Sequence, residues 1–508
     1  MKNRITIDAR VIEARIDRKI YGHFVENMAR CVYGGLLENT RRGRPEGPWR
    51  LREDLVEMVA KLKPPVIRWP GGLYADGYNW FDGVGPIESR QLKRNRYWSR
   101  YGPLTRVLDP NAFGTDEFLQ LNERLGSRAY LNVNVGSGSE VDAARWVQYA
   151  NGSKDTREGA RRASNGREEP YDVRYWGIGN EAYGFWSIGH AKARDYARRY
   201  VEFKQAMSQE GNDLRYVAVG CEPYFNKTWN LEVLDEAAGE VDMLSVHIYL
   251  PGMERMAGVS YSQLRHGSSG MYRAIVASPY EYERRLRSVE ADILAATGGS
   301  ESVGIAFDEW NLWWAPTQLL RPRWTLRDAL YICGMFHAMH RMAPAIEMAN
   351  IAQLVNVLGV LIARGDKVAR TAIYYPFLMY TALTEERKLF LETECGSFDS
   401  PAVGGIPAIK DVPVLDCSAS LSDDGGRLVL FVINRDPLDG IAADIDLKGF
   451  DVKSKVEVHL LDGPGTEAEN KVGADEIVSI KTSSHDSGDV LPRWKFPAHS
   501  ATALVFEA

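Results

Sequence analysis

The five cysteines of this 508-residue chain form no pattern that suggests disulfides or bound zinc. They are odd in number and widely spaced, and no CxxC pair occurs among them. Neither a disulfide framework nor a zinc site is therefore indicated. A reducing compartment fits this use of cysteine best.

Long apolar segments and one-sided charge are also missing. No apolar run reaches the roughly 18 residues of a membrane span, and the opening "MKNRITIDARVIEARIDRKIYG" lacks the apolar core of a signal peptide. The formal charge is only −6, and Lys and Arg are spread along the chain. We expect a cytoplasmic, soluble protein that binds neither nucleic acid nor a membrane.

Motifs for nucleotide binding and for serine hydrolases are absent from the sequence as well. The runs "GVGP" and "GSGS" lack the lysine and the spacing of a phosphate loop, and no Gly-x-Ser-x-Gly occurs. His337 and His340 stand close together in "GMFHAMHRM", but no carboxylate or cysteine nearby completes a metal site. The sequence predicts a packed helix face there, and neither a metal nor a cofactor.

What the sequence does contain is an alternation of short strand-like runs with segments of helical period, from about residue 17 to 375. Counting "KIYGHFVEN" first and "IEMANIAQLVN" last gives eight strand candidates. Eight such units predict an α/β protein whose catalytic domain, residues 17–375, is a (β/α)8 TIM barrel. Within it, Ser278-Pro279 predicts a helix start, and the segment 251–280 is predicted to be a lid or subsite loop.

From about residue 376 the sequence changes to short strands without intervening helices. "VLDCSASLSDDGGRLVLFVINRD" has the pattern of two strands joined by a turn, and "KSKVEVHLLDG" and "HSATALVFEA" continue it. We predict a C-terminal all-β sandwich domain, jelly-roll-like, formed by residues 376–508 together with residues 1–16, because the first strand "RITIDA" lies outside the barrel pattern.

Polar residues cluster at the carboxyl ends of the predicted strands, where (β/α)8 barrels carry out their chemistry. These residues are Glu26, Asn27, Arg68, Asn134, Asn180, Glu181, Glu222, His247, Tyr249, Asp308, Glu309 and Gln353. Glu181 ends the predicted fourth strand and Glu309 the seventh. Two carboxyl groups facing each other across a barrel mouth are the arrangement that cleaves a glycosidic bond.

Their surroundings predict different roles for the two glutamates. Glu181 lies among aromatic residues in "YWGIGNEAYGFW", so desolvation should raise its pKa and suit a general acid. Arg68, at a neighbouring barrel position, should keep Glu309 ionised. We expect the two carboxyl groups about 5–5.5 Å apart, the spacing of a retaining mechanism. His247, beside Tyr249, is predicted to be a hydrogen-bonding residue of the pocket.

Five sequence blocks, in this order, resemble one known family: "IYGHFVENMARCVYGG", "VIRWPGGLYADGYNWFDGVGP", "WGIGNE", "GIAFDEWNLWW" and "MANIAQLVNV". Together they look like glycoside hydrolase family 51, the α-L-arabinofuranosidases. The resemblance implies a retaining, exo-acting enzyme that releases terminal arabinofuranosyl residues from arabino- or arabinoxylo-oligosaccharides without a cofactor. It also implies a homo-oligomer, commonly a hexamer.

The resemblance further implies roles for individual residues. Glu181 matches the family's acid/base and Glu309 its nucleophile. Residues that match other substrate-binding positions are Glu26 and Asn180 for the sugar hydroxyls, Arg68 and Tyr249 for holding the nucleophile, Asn79 and Gln353 for the pocket lining, and Trp313 and the Trp80 region for its walls.

Two departures from the family pattern leave the specificity open. Leu73 stands where the family commonly has a Cys or Asn that touches the sugar, and Glu222 adds an acid where small polar residues are usual. A relative with shifted specificity, such as an endo-β-1,4-glucanase, a β-xylosidase or another furanosidase, therefore stays an alternative. A carbohydrate-binding protein that has lost catalysis is a second one.

Overall fold

The computed structural model describes residues 3–39, 48–100, 107–252, 269–300, 302–313, 316–319 and 321–508. Eight parallel strands that follow β1 (Arg4–Arg15) close a barrel in chain order, and the last of them pairs with the first. They are β2 (Gly22–Phe24), β3 (Val66–Trp69), β4 (Arg128–Val133), β5 (Tyr175–Ile178), β6 (Arg215–Val219), β7 (Met243–Pro251), β8 (Gly304–Trp313) and β9 (Ile346–Ala352). The predicted eight-stranded barrel is confirmed.

Several of the helices between these strands bury an apolar stripe against the barrel. In the fifth helix, for example, Tyr196, Tyr200 and Phe203 recur at helical spacing and are buried. None of the described helices is both long and apolar enough to cross a membrane. The helices are α1 (Glu53–Leu62), α2 (Thr115–Leu125), α3 (Glu140–Asn151), α4 (Arg157–Ser164), α5 (Ala193–Ser208), α6 (Trp229–Ala237), α7 (Ser269–Ala296), α8 (Leu326–Arg341) and α9 (Tyr374–Leu383).

Helix α7 differs from the sequence prediction, because Pro279 lies inside it and does not mark its beginning. A proline has no N–H group, so it leaves the carbonyl four residues earlier without its helical donor. Here that carbonyl belongs to Ile275, and the Ser278 hydroxyl donates to it at 2.8 Å. The predicted loop 251–280 is thus helical from residue 269 onward, while residues 253–268 lie outside the described residues.

The second unit is a nine-stranded sheet that combines β1 with the strands that follow the barrel. The strands that follow the barrel are β10 (Arg387–Glu394), β11 (Leu415–Leu421), β12 (Arg427–Asn434), β13 (Ile441–Lys448), β14 (Lys455–Asp462), β15 (Ser479–Asp486), β16 (Arg493–Phe496) and β17 (Ser500–Glu507). Their order in the sheet is β15-β14-β17-β12-β11-β10-β1-β13-β16. β16, at one end of this order, also contacts β12 and β17. The predicted C-terminal β domain is therefore present as one continuous sheet that folds over on itself.

Alternation along β12 explains how this sheet is held against the barrel. Leu428, Leu430 and Val432 point into the sheet's own core, whereas the residues between them belong to the barrel core. Successive side chains of a strand point to opposite faces, so one strand serves both cores. Phe431 stacks on Tyr380 of α9 with ring centroids 4.2 Å apart.

Polar groups at the same interface are paired. Asp416 of β11 accepts hydrogen bonds from Arg435 at 2.5 Å and from Arg341 of α8 at 3.1 Å. His340 bonds Ser418 across the interface, and His337 bonds the Tyr380 hydroxyl, so both histidines lie on a packed helix face. The boundary predicted at residues 375/376 falls inside α9, and the sheet resumes at β10.

Candidate active site

The carboxyl ends of the barrel strands surround a cavity of about 620 Å³. Most of the residues predicted for the site line it: Glu26, Glu181, His247, Tyr249, Glu309, Trp313 and Gln353. Pockets of about 300–1,000 Å³ enclose most of a drug-sized ligand. The space is therefore larger than one pentose needs.

Glu181 reaches this cavity from the turn that follows β5. Gly179 has φ 88°, a left-handed conformation that glycine adopts without steric cost, and Glu181 itself has φ 45°. A non-glycine residue in this region carries strain on the order of 1–3 kcal/mol, which is common at functional sites. The indole N–H of Trp186 donates to one oxygen of Glu181, and His247 contacts the other.

Glu309 lies within β8 and is held at both oxygens. Arg68 donates to Oε1 at 2.7 Å and the Tyr249 hydroxyl donates to Oε2 at 2.8 Å. The second guanidinium nitrogen of Arg68 donates to the Asn180 side chain at 2.7 Å, so one arginine ties the turn after β5 to the strand β8. A charge-assisted bond at each oxygen fixes the orientation of the carboxylate.

The carboxyl groups of Glu181 and Glu309 lie close together. One oxygen of each, and a ring nitrogen of His247, lie within 4.8 Å of one another. Retaining glycosidases have their carboxyl groups about 5–5.5 Å apart, whereas inverting ones leave about 6.5–9.5 Å for a water molecule. The observed separation matches the retaining arrangement.

These same three residues are the set that could hold a metal ion. Their ligand atoms are already engaged within the protein, because His247 Nδ1 lies 2.9 Å from Glu181 Oε1 and Glu309 Oε1 accepts from Arg68. A metal ion would have to displace these bonds. The geometry thus favours acid/base catalysis by these side chains over a metal-binding site.

His247 lies between the predicted catalytic carboxylates and near a third one. Its Nε2 is 3.4 Å from Asp308 Oδ1 and 3.7 Å from Glu309 Oε1, while Nδ1 contacts Glu181. Burial by itself lowers the pKa of His247, but Glu309, Asp308 and Glu181 together raise that pKa to about 10. His247 is therefore positively charged at neutral pH.

This histidine corrects the sequence prediction for Glu181. Burial does act to raise the pKa of Glu181, as the aromatic neighbours suggested, but the hydrogen bond and positive charge of His247 outweigh it and hold the pKa below its ordinary value. The partner comes from β7, far along the chain, so the local sequence could not reveal it. The proton of the pair therefore resides on His247.

Asp308 forms a buried network beneath these groups for which no role was predicted. Tyr130 and Ser245 donate to its two oxygens at 2.9 and 2.6 Å, and Arg68 Nε lies 3.3 Å from it. Burial raises the pKa of Asp308, yet Arg68 and His247 outweigh this and lower it to about 2. Its ionised carboxylate offsets the positive charges of Arg68 and His247.

A second group of polar residues closes the other side of the cavity. Glu26 accepts hydrogen bonds from the Tyr74 N–H at 2.9 Å, the Trp98 indole at 2.9 Å and the Gln353 amide at 3.1 Å. Burial, followed by the nearby charge of Glu309, raises the pKa of Glu26 to about 8. Sequence reasoning missed Trp98, which belongs to the long segment after β3; its only signal was an aromatic pair, "YW", within a charged stretch.

Two amide side chains next to carboxyl groups of the site each have one atom without a hydrogen bond, and of the two only Gln353 is among the described residues that line the cavity. The nitrogen of the Asn180 side chain and the side-chain oxygen of Gln353 are buried and, among the described residues, have no hydrogen-bond partner. Buried polar atoms are rarely left unpaired unless water or a ligand completes them. Both residues were predicted to bind sugar hydroxyls or line the sugar pocket.

Asn79 and Trp80, which were predicted to lie at the sugar pocket, are not among the described residues that line the cavity. Asn79 is exposed and accepts a hydrogen bond from the Phe81 N–H. Trp80 is buried, stacks parallel to Trp146 and donates to the Asp142 carbonyl. The segment after "RWPGG" turns away from the cavity once it has supplied Leu73, which does line it.

Two family models match the chain. Residues 58–261 match the model of an α-L-arabinofuranosidase 1 domain, and residues 308–500 match that of an α-L-arabinofuranosidase C-terminal domain. Among curated relatives, a probable α-L-arabinofuranosidase C of Aspergillus fumigatus is 29% identical over 97% of this chain and 95% of its own length. The intracellular exo-α-(1→5)-L-arabinofuranosidase 1 of Bacillus subtilis is 28% identical over 95% of this chain and 94% of its own.

A solved structure gives the same result. The GH51 α-L-arabinofuranosidase of Thermotoga petrophila is 31% identical, has a TM-score of 0.86, and the match covers 100% of both chains. The likeness thus includes the barrel, the sheet and the turns that carry the site.

Proposed function

The chain belongs to the α-L-arabinofuranosidases of glycoside hydrolase family 51, and on this premise we propose that it removes terminal arabinofuranosyl groups from arabino- or arabinoxylo-oligosaccharides with retention of configuration. The observation that supports this most strongly is the close approach of Glu181 and Glu309, with oxygens within 4.8 Å. At that distance one carboxylate attacks the anomeric carbon directly while the other serves the leaving oxygen.

In the first step, Glu309 is the nucleophile. Arg68 and Tyr249 orient its two oxygens, so one of them attacks the anomeric carbon and forms a glycosyl ester. The bond to the leaving oxygen breaks as Glu181 delivers a proton to it. That proton comes from the Glu181–His247 pair, across a separation of 2.9 Å.

In the second step, water replaces the leaving group. Glu181 is now ionised, and it removes a proton from the water as the water attacks the anomeric carbon. The ester bond breaks, Glu309 is released as a carboxylate, and the proton returns to the Glu181–His247 pair. Configuration is retained because the two displacements invert the same carbon twice.

The sugar itself is proposed to lie between Glu309 and the polar group at Glu26. The unpaired amide nitrogen of Asn180 suits the 2-hydroxyl, whose hydrogen bond strengthens as the transition state forms. Glu26 and Gln353 line the cavity and suit further hydroxyls. The B. subtilis relative is named as an exo-acting enzyme, which supports release of a chain end.

We also propose that the enzyme acts in the cytoplasm as a homo-oligomer. All five cysteines are free, which suits a reducing compartment, and the B. subtilis relative is named as intracellular. The oligomer, a hexamer by the family resemblance, is tested by sedimentation of the purified protein. Cell fractionation tests the location.

Hydrolysis of a panel of 4-nitrophenyl glycosides tests the activity. We expect cleavage of the α-L-arabinofuranoside, and much slower cleavage of the β-xyloside and β-glucoside. Proton NMR of the first product should show the α anomer before mutarotation. Preference for the xyloside or a glucan would favour the alternatives of shifted specificity, and a first-formed β anomer would exclude the retaining mechanism.

A further inference from the structure

An aromatic cluster forms the wall of the cavity on the side of Glu181. It consists of Tyr183, Trp186, Tyr224 and Phe225, all of which line the cavity. Phe225 stacks against Tyr183 with centroids 6.1 Å apart and meets the Trp186 ring edge to face at 5.9 Å. Tyr224 and Phe225 are nevertheless 46% and 42% exposed, so part of each ring remains accessible to a ligand.

The position of this cluster relative to the two carboxyl groups indicates what it faces. Under the proposed mechanism the proton donor Glu181 lies at the leaving oxygen, whereas Glu309 lies at the anomeric carbon. Trp186 donates to Glu181 directly, and Tyr183 is two residues from it. The cluster therefore lies beside the proton donor, which is the leaving-group side of the site.

An ion pair lies beside the cluster and also lines the cavity. Arg285 of α7 donates to Glu222, at the end of β6, at 2.8 Å, and Glu281 holds the same guanidinium at 2.7 Å. The guanidinium lies over the Tyr224 ring at 5.2 Å. Removing two charges from water costs free energy, and a buried ion pair adds little stability compared with apolar packing. Its position in the cavity wall therefore points to a role other than stabilising the fold.

We propose that these residues form the subsite for the sugar unit that carries the arabinofuranosyl group. This inference rests on the proposed function and names the residues that select its leaving group. The apolar face of a sugar ring stacks on the aromatic cluster, and its hydroxyls bond Glu222 and Arg285. Glu222 and Arg285, together with Glu281 and its second partner Arg284, supply donors and acceptors with no net charge, which suits a neutral sugar better than a uronic acid.

Paired substrates test the polar part of this subsite. α-1,5-Arabinotriose places a sugar with hydroxyls in it, whereas 4-nitrophenyl α-L-arabinofuranoside places a ring without them. For Glu222→Gln and Arg285→Met, we expect the ratio of kcat/KM for arabinotriose to that for the nitrophenyl substrate to fall roughly tenfold, as lost bonds to charged groups predict. Arg287→Met is the matched control, because Arg287 lies on the same helix and pairs with Glu283; its ratio should not change.

The exposed aromatic part is tested separately. Phe225→Ala removes an exposed side chain, so folding is preserved, and KM for arabinotriose should rise roughly 2- to 10-fold. The subsite proposal is overturned if the unmodified enzyme cleaves both substrates but the ratio of the two kcat/KM values stays constant in the Glu222 and Arg285 variants. An unchanged KM for arabinotriose in Phe225→Ala also overturns it. If the unmodified enzyme cleaves neither, the proposed function itself fails and the subsite with it.

Discussion

His247 lies 2.9 Å from Glu181 through Nδ1 and 3.7 Å from Glu309 through Nε2, so a single imidazole links the two carboxyl groups of the site. Its charge explains how Glu181 is kept ionised although aromatic rings partly enclose it. Once Glu309 is esterified, one of the carboxylates that raise the pKa of His247 has lost its charge. The protonation of Glu181 and the state of Glu309 are therefore coupled through this ring.

Replacing His247 should change the pH dependence of the reaction. The raised pKa of His247, about 10, means that the pair keeps its proton until the pH approaches that value. In His247→Asn the proton must reside on Glu181, which loses it at lower pH. We expect the alkaline limb of the kcat/KM profile to move to lower pH. His190→Asn, an exposed neighbour of the same turn, is the control; an unmoved limb in His247→Asn would count against proton sharing.

Removing the nucleophile should abolish turnover and allow chemical rescue. Glu309→Ala leaves an opening where azide can attack the anomeric carbon, so an activated substrate should yield the β-arabinofuranosyl azide, with inverted configuration. Proton NMR identifies the anomer. A retained product would assign the nucleophile to another residue.

Removing the acid/base should make the rate depend on the leaving group. General acid catalysis contributes about 10²–10⁴-fold, so kcat/KM of Glu181→Ala should fall by that factor for arabinotriose and much less for a dinitrophenyl arabinofuranoside. Azide should here give the α product. Equal losses with good and poor leaving groups would contradict the role.

The hydroxyl of Tyr249 should contribute through its bond to Glu309 Oε2, 2.8 Å long. A hydrogen bond to a charged group is worth about 1.5–3 kcal/mol, so kcat/KM of Tyr249→Phe should fall roughly 10- to 100-fold. Tyr171→Phe removes a bond of the same length, 2.8 Å, to Asp116 at a half-buried position that does not line the cavity, and serves as the control. Similar kinetics for the two variants would refute the prediction.

Asp416 should make the attachment of the sheet to the barrel sensitive to acid. Burial raises its pKa, but Arg435 and Arg341 outweigh burial and hold it well below the ordinary value. An ionised carboxylate of this kind stabilises the fold at pH values above about 4, which is the pKa of an aspartate in the unfolded chain. This stabilisation is lost as the pH falls from that value towards the lower pKa of the folded state. Breaking a buried pair costs about 3–5 kcal/mol, so Asp416→Asn should lower the melting temperature at pH 7 and much less in acid.

The control for this measurement is Asp423→Asn. Asp423 pairs with Arg15 at 2.8 Å, but both side chains are more than half exposed. Exposed pairs are worth about 0–1 kcal/mol, so the melting temperature should hardly change. Equal decreases in melting temperature for the two substitutions would show that the buried pair at the interface stabilises the fold no more than an exposed pair does.

Local patterns in the sequence were enough to predict the barrel and its principal residues. Each strand is a short apolar run that ends in polar residues, and parallel barrel strands bring those ends to one face. Glu181, Glu309 and Arg68 could therefore be predicted to meet. The two faces of β12 were equally predictable, because the side chains of any strand alternate between its two faces.

Features that depend on contacts between remote segments could not be predicted in this way. The pKa direction of Glu181 depends on His247, which comes from another strand, and the burial of Trp80 depends on Trp146 in α3. Pro279 was mistaken for a helix start because the Ser278 bond that tolerates it is visible only in three dimensions. Asn79 lies close in sequence to the site, but its backbone has already turned outward.

The position of β1 in the sheet affects how the chain folds while it is being synthesised. β1 pairs with β10 on one side and with β13 on the other, so it is an interior strand whose partners come from the far end of the chain. On the ribosome it emerges before the whole barrel and lacks its two sheet partners until β10 and β13 have been synthesised. A barrel fragment cut after residue 16 would leave two open strand edges on the remaining sheet, and such edges invite aggregation.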